Sequence, residues 1–183
     1  MLGFLSLGLA LVAAPSRAAG AARQAAAKAA APASCLPSGD GYLRARVGGA
    51  IDADIDWPNS GTVCDGEPKT TPAGIRVSFR RAAPTRPNLL FVFGLTGVRE
   101  GQSLTAGRVN LTVFDQGRGR VFSTEGDGRC TIDSLSQRRV GAGHTYRIEA
   151  RGFCTEPARA VRGRGDILVS RFDFAGVVNY ANP

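Results

Sequence analysis

One histidine, one methionine and one tryptophan in 183 residues, and two lysines among 23 basic side chains, leave this sequence short of several chemistries. With His144 the only imidazole and no C-x-x-C pair, the Cys/His zinc frameworks of usual spacing are excluded. No G-x-S-x-G elbow occurs, and "GQSLT" around Ser103 is not one, so a serine nucleophile would depend on His144 as its base. A lone histidine in a turn is most simply a solvated side chain. No apolar run approaches the roughly 20 residues that a membrane-spanning helix requires. Two smaller absences matter as well: no Lys or Arg precedes the N-terminal apolar segment, and no acid precedes Cys35.

What the N-terminus does contain is an apolar segment from Phe4 to Ala14 followed by small residues, the shape of a secretory h-region and its cleavage site. A cut after Ala18 or Ala19 suits it; the missing basic n-region implies an upstream start or an atypical signal. The expected organisation is a signal peptide over 1–18, an alanine-rich linker or tail over 19–34 and one domain over 35–183, with a periplasmic or secreted location. Lipidation at Cys35 fits poorly, because "PASC" puts Pro32 where an aliphatic residue is wanted. Four cysteines in an exported chain read as two disulfides, for which three connectivities exist.

The formal charge of +8 overstates the basic character of the domain. Arg17, Arg23 and Lys28 all precede Cys35, so residues 35–183 hold 20 bases against 15 acids. An arginine-, alanine- and glycine-rich composition can reflect genomic base composition; what it predicts physically is a modest attraction to polyanions.

From Cys35 onward the hydrophobic signal has a period of two. In "YLRARVGGAIDADIDW" the odd positions are apolar and the even positions Arg44, Arg46, Asp52, Asp54 and Asp56 are charged. That parity fits one long strand bent at Gly48 and Gly49, which we favour, or a hairpin whose loop has an odd number of residues. "GIRVSFRR" alternates again, "NLLFVFGLTGV" is a continuous apolar run of the kind found in a central strand, and "GRVNLTVFDQGRGRVFST" reads as two strands joined at "DQGRG". In "CTIDSLSQRRVGAGHTYRIEARGFC" a hairpin closed by the three residues "GAG" pairs positions whose numbers sum to 284. Cys130 then faces Cys154, Asp133 faces Arg151, Ile132, Tyr146, Ile148 and Ala150 share the inner face, and Gly143 takes the left-handed loop position. The remaining bridge is Cys35 to Cys64. A short helix over Asp133 to Arg139 is the competing reading. Eight to ten short strands and no convincing helix predict an all-β antiparallel sandwich stapled by two disulfides.

Candidate sites are few. Asp52, Asp54 and Asp56 offer oxygen ligands at alternate positions, but counting from Asp52 an EF-hand needs glycine at position six and Glu at position twelve, where Trp57 and Val63 stand. A solvated charged face, or cross-strand partners for arginines, is the simpler reading; calcium stays a minor option and no other cofactor is indicated. Glu125 and Asp127 in "STEGDGRC" could serve as a carboxylate pair for polysaccharide hydrolysis, although acids suit such turns for conformational reasons alone. Arg118 with Arg120 and Arg138 with Arg139 are the arginine pairs expected to attract anions, and Trp57 with Tyr42 could offer a stacking surface if exposed. The scattered arginines lack the interleaved aromatics of a nucleic-acid surface, so nucleic acid is not the expected partner.

The stretches "GYLRARVGGAIDADIDW", "RVFSTEGDGRCTID" and "YRIEARGFC" resemble a group of uncharacterised secreted or periplasmic proteobacterial proteins in which similarly placed Cys residues frame a β domain. The resemblance covers roughly residues 35–180, implies export and the fold class, and carries no catalytic motif. The expected function is non-enzymatic binding to an anionic envelope polymer or carbohydrate, or to a protein partner; the alternative is a polysaccharide hydrolase acting through Glu125 and Asp127.

Overall fold

Alternating apolar residues dictate strands, and the computed structural model, which describes residues 33–181, contains eleven of them and no helix among those residues. They are β1 (Tyr42–Gly49), β2 (Ala53–Pro58), β3 (Thr62–Thr70), β4 (Ala73–Arg81), β5 (Leu89–Thr96), β6 (Gly107–Asp115), β7 (Arg120–Ser123), β8 (Cys130–Arg139), β9 (Thr145–Cys154), β10 (Ala158–Ala160) and β11 (Asp166–Asn179). All pair antiparallel within one hydrogen-bonded sheet rather than two separate ones. The expected signal peptide and nearly all of the alanine-rich tail lie outside the described residues. Ala33 and Ser34 already join the sheet, since the Ala33 carbonyl accepts from the Gly61 amide at 2.7 Å and Ser34 bridges Ser60.

The sheet folds over so that its inner faces meet. On one side lie β2, β1, β11, β9 and β8; on the other, β3 to β7; the seams are the pairing of β8 with β6 and the insertion of β10 between β7 and β11. Phe79 and Phe93 from the second half meet Phe172 and Phe174 from the first, with ring centroids 4.9 Å apart for Phe93 and Phe174 and 5.1 Å for Phe79 and Phe174. Such tilted contacts add to the burial of each ring. Where β3 crosses β11, Gly66 lies directly against the Val177 carbonyl, an approach that any side chain would block.

Three sequence expectations change in detail. β1 and β2 form a hairpin around the five-residue turn Gly48–Asp52, not one bent strand: Arg44 pairs with Asp56 and Arg46 with Asp54. An odd loop and a bent strand preserve the same parity, and opposite charges facing each other across the pair favour the hairpin. In β8 the register sums to 284 only as far as Ile132, after which Asp133 bulges out and Ser134, not Asp133, faces Arg151. The added residue lengthens the turn, so Val140 bonds Thr145 at 2.8 Å and the left-handed position falls on Gly141 instead of Gly143. A similar extra residue, Ser170, enters β11 opposite β1 and moves the buried parity from Ile167 and Val169 to Phe172 and Phe174. The segment from Asp133 to Arg139 is strand, not helix.

Both deduced disulfides are present, Cys35–Cys64 and Cys130–Cys154, and no cysteine is free. The inner face expected of the β8–β9 hairpin is also observed, with Ile132, Tyr146, Ile148 and Ala150 all buried.

Candidate functional site

Strands with polar turns deliver their charges to loop ends, and in this fold one end gathers arginines that lie far apart in sequence. The β1–β2 turn, the β4–β5 loop and the β6–β7 turn enclose a cleft of about 740 Å³ whose charged lining is Asp52, Arg86, Asp115 and Arg118. Its organiser is Asp115, only 2% exposed. The Arg120 guanidinium stands 3.3 Å from one Asp115 oxygen and Arg118 stands 3.6 Å from the same oxygen. Arg120 also donates to the Ala50 carbonyl at 3.3 Å, so one side chain fastens the β6–β7 turn to the β1–β2 turn. The Asp115 side chain caps its own turn by accepting from the Arg118 amide, an Asx arrangement that "DQGRG" is built to make.

The β10–β11 loop abuts the same turn. Ala50 donates to the Asp166 carbonyl at 2.9 Å, and Arg162 and Arg164 stand exposed on that loop. Around this end, then, five arginines (86, 118, 120, 162 and 164) face three aspartates (52, 115 and 166). Asp52 is engaged by Arg46 and Asp115 by Arg118 and Arg120, whereas Arg86, Arg162 and Arg164 have no ion-pair partner among the described residues. The surplus is positive and held by short turns, an arrangement that attracts anions without first having to order long loops.

Asp115 is the residue on which the cleft depends. An Asp115→Ala substitution leaves Arg120 facing a low-dielectric wall without its counter-charge. The expected loss is about 2–3 kcal/mol, below that for a fully buried pair because Arg120 keeps 30% of its side chain in water. Denaturant unfolding of the variant measures this directly; an unchanged midpoint would show that Asp115 organises nothing.

The other candidates are dispersed. Arg138 and Arg139 belong to the far end of β8, where Arg139 donates to the Tyr146 hydroxyl at 2.9 Å. Near them His144 Nδ1 lies 2.9 Å from Glu100, and that contact, more than any other, holds the Glu100 carboxyl below the usual range. Trp57 is 8% exposed and packs edge-on against Phe91, so it is core and presents no stacking surface. Tyr42 is half-buried, donates to Asp173 at 2.8 Å and carries the Arg44 guanidinium 4.7 Å above its ring. Burial, then the bond to Asp173, pushes its phenol up to about 12.

The three alternating aspartates point to solvent. Asp56 pairs with Arg44 at 3.3 Å, Asp54 stands 3.9 Å from Arg46, and Asp52 contacts Arg46 as well. Among the described residues no group of three or more His, Cys, Asp or Glu side chains is placed to hold a metal ion. Glu125 and Asp127 sit on the β7–β8 turn, with Glu125 exposed in the left-handed conformation and Thr124 closing the turn onto the Gly126 carbonyl at 2.8 Å. Sequence reasoning missed Arg86 and Asp115. The first carried no pattern at all; the second stood at the head of a recognised turn, where an aspartate beside two arginines was the available signal.

Compared with protein-family models, with curated proteins and with solved structures, the chain finds no match. Functional reasoning therefore rests on the chemistry of the surface itself. Among the described residues no helix is long and apolar enough to cross a membrane.

Proposed function

We propose that the protein is a non-enzymatic binding module that works outside the cytoplasm and takes hold of an anionic polymer at the β1–β2, β4–β5 and β6–β7 loop end. The observation that carries this reading is the cleft organised by Asp115, with Arg86 and Arg118 lining it and Arg162 and Arg164 on the adjoining loop. Guanidinium groups suit carboxylate and phosphate equally, through paired hydrogen bonds. The two disulfides support a life in an oxidising compartment, periplasmic or secreted.

Retention of the oxidised protein on its own organism's cell-envelope fractions should be strong at low salt. It should fall steeply near 0.1 M, where the screening length is about 10 Å. Arg86→Ala and Arg118→Ala should each weaken low-salt binding roughly fivefold, about 1 kcal/mol per contact, while Arg138→Ala, at the far end of β8, leaves it unchanged. Equal losses at all three sites would point to diffuse charge and not to the cleft. Absence of retention at low salt removes this reading and makes hydrolysis through Glu125 and Asp127 the next to assay, by reducing-end release from envelope polysaccharide with each acid replaced.

A further inference from the structure

Four outward side chains follow one another across β2, β1, β11 and β9 with alternating sign: Asp56, Arg44, Asp173 and Arg151. Opposite charges placed in this way normally close on each other. Here the row closes only at its first end. Arg44 stands 3.3 Å from Asp56, whereas Asp173 gives one oxygen to the Tyr42 hydroxyl at 2.8 Å and Arg151 makes no ion pair among the described residues.

The bulge at Asp133 is the reason the far end stays open. A regular β8 would set Asp133 against Arg151 and cancel both charges. The extra residue turns Asp133 aside and puts the short, uncharged Ser134 in its place. Bulges that re-aim a side chain in this way recur in sheets beside functional sites.

The result is a hollow of about 220 Å³ on the outer face of the sheet. Leu135 and Ala150, paired and turned inward, leave only backbone at its floor, and its walls are Tyr42, Ser134, Ser136, Glu149, Arg151 and Asp173. Glu149 is held in position by Arg147, whose side chain is only 10% exposed and lies 2.7 Å from one Glu149 oxygen and 2.8 Å from Asp40. The bond from Arg147, more than any other contact, keeps the Glu149 carboxyl below its usual range. Its other oxygen has only Ser136, at 3.5 Å. Two ionised carboxylates therefore each keep an oxygen largely uncommitted at a hollow where a guanidinium is also without a partner.

That set of groups selects a class of ligand. Carboxylate oxygens only accept and a guanidinium only donates, whereas a hydroxyl does both. Adjacent hydroxyls can therefore bridge from the carboxylates to Arg151 and satisfy all of them at once. The charges of Glu149 and Asp173 are balanced by those of Arg147 and Arg151, so neither an anion nor a cation gains from entering. Tyr42 adds an aromatic flank of the kind against which the C–H surface of a sugar rests. The volume lies below the roughly 300–1,000 Å³ of sites that take larger ligands, which suits one ring.

We infer that the outer face of β1, β11, β9 and β8 binds one neutral sugar ring through two adjacent hydroxyls that bridge Arg151 to Glu149 and Asp173. This is a second site, on the sheet face and not at the loop end, and it stands independently of the polyanion reading.

Amide correlation spectra of the full oxidised chain, titrated with glucose, galactose or mannose, test it. Titration runs to about 0.1 M, because a single ring gripped from one side binds in the millimolar range. The expected result is a saturable shift of the amides of residues 134–136, 149–151 and 173 with at least one of the three sugars. No shift with any of them, or shifts confined to other residues, overturns the inference. Ser134→Asp supplies Arg151 with the partner that the bulge withholds, at an exposed position where an opposite charge supports the sheet, and should weaken binding about tenfold. Asp173→Asn still accepts from Tyr42 but loses the charged acceptor, and should weaken binding to a similar degree. The dispersion of the same spectra shows whether each variant is folded; should Ser134→Asp fail to fold, Asp173→Asn decides. A folded variant of either kind that binds as tightly as the wild type sinks the proposal. Glucuronate and glucosamine place a charge on the same ring and should bind more weakly than glucose; a tighter response to either at these amides would reject a neutral ligand.

Discussion

Phe93→Ala should cost about 3–5 kcal/mol of stability, the largest single effect expected in this protein. Phe93 is fully buried and is the ring through which the halves of the folded sheet touch: its centroid lies 4.9 Å from Phe174, 5.1 Å from Phe172 and 6.2 Å from Phe79. Truncation opens a hole that these neighbours cannot close, because Phe172 and Phe174 stand on β11 and Phe79 on β4, and neither strand can shift without breaking pairing on both sides. For a domain of this size the loss corresponds to a melting temperature lower by roughly 10–15 °C. Scanning calorimetry measures it; a shift of only a few degrees would mean that the two halves can settle together after the ring is gone. Phe153→Ala is the control, since that ring is 37% exposed and joins no part of the core.

Removal of the Cys130–Cys154 bridge, with both residues replaced by alanine, is the second large effect. The bridge joins positions 24 apart. Constraint of the unfolded chain over a loop of that length contributes about 3.5 kcal/mol, within the usual range of 2–5. Because Cys130 and Cys154 are also a register pair in the β8–β9 hairpin, their replacement removes two buried sulfurs at the point where β8 turns to pair with β6. Equilibrium urea unfolding of the double variant should show a lower midpoint with a somewhat steeper slope, since the unbridged unfolded chain exposes more surface. Non-reducing peptide mapping of the wild-type protein should recover Cys130 with Cys154 and Cys35 with Cys64; any other pairing would dismiss the register from which the bridge was deduced.

How far the sequence could be read follows from which interactions are local. The β8–β9 hairpin was legible because its two arms lie close together and its cysteines, apolar residues and glycines all agreed on one register. The bulge at Asp133 was marked only by Leu135, an apolar residue three past Ile132 that strict alternation would turn outward; Asp133 and Ser134, both polar and exposed, added nothing to that single signal. The β1–β2 turn was misjudged for a related reason: parity alone cannot distinguish an odd loop from a bend, and the deciding feature was the match of Arg44 and Arg46 to Asp56 and Asp54. The cleft was the least legible. Its walls come from residues 49–52, 86–87 and 115–118: the last two meet because β5 and β6 are neighbours in the folded sheet, and the first joins them through the Arg120 contact with Ala50. The same long-range pairing takes Trp57 inward, so the one residue that looked suited to stacking became part of the floor of the core.

The pairing of β11 has a consequence for the order in which the molecule can be assembled. β1 finds its inner neighbour only in β11, with Tyr42 opposite Ala175 and Gly49 opposite Ile167, and β9 and β10 both wait for the same strand. A chain emerging from the ribosome therefore holds its first hairpin without a permanent place in the sheet until β11, the last of the described strands, has been made. Such a protein completes its architecture in one late event, when β11 slots between partners already waiting.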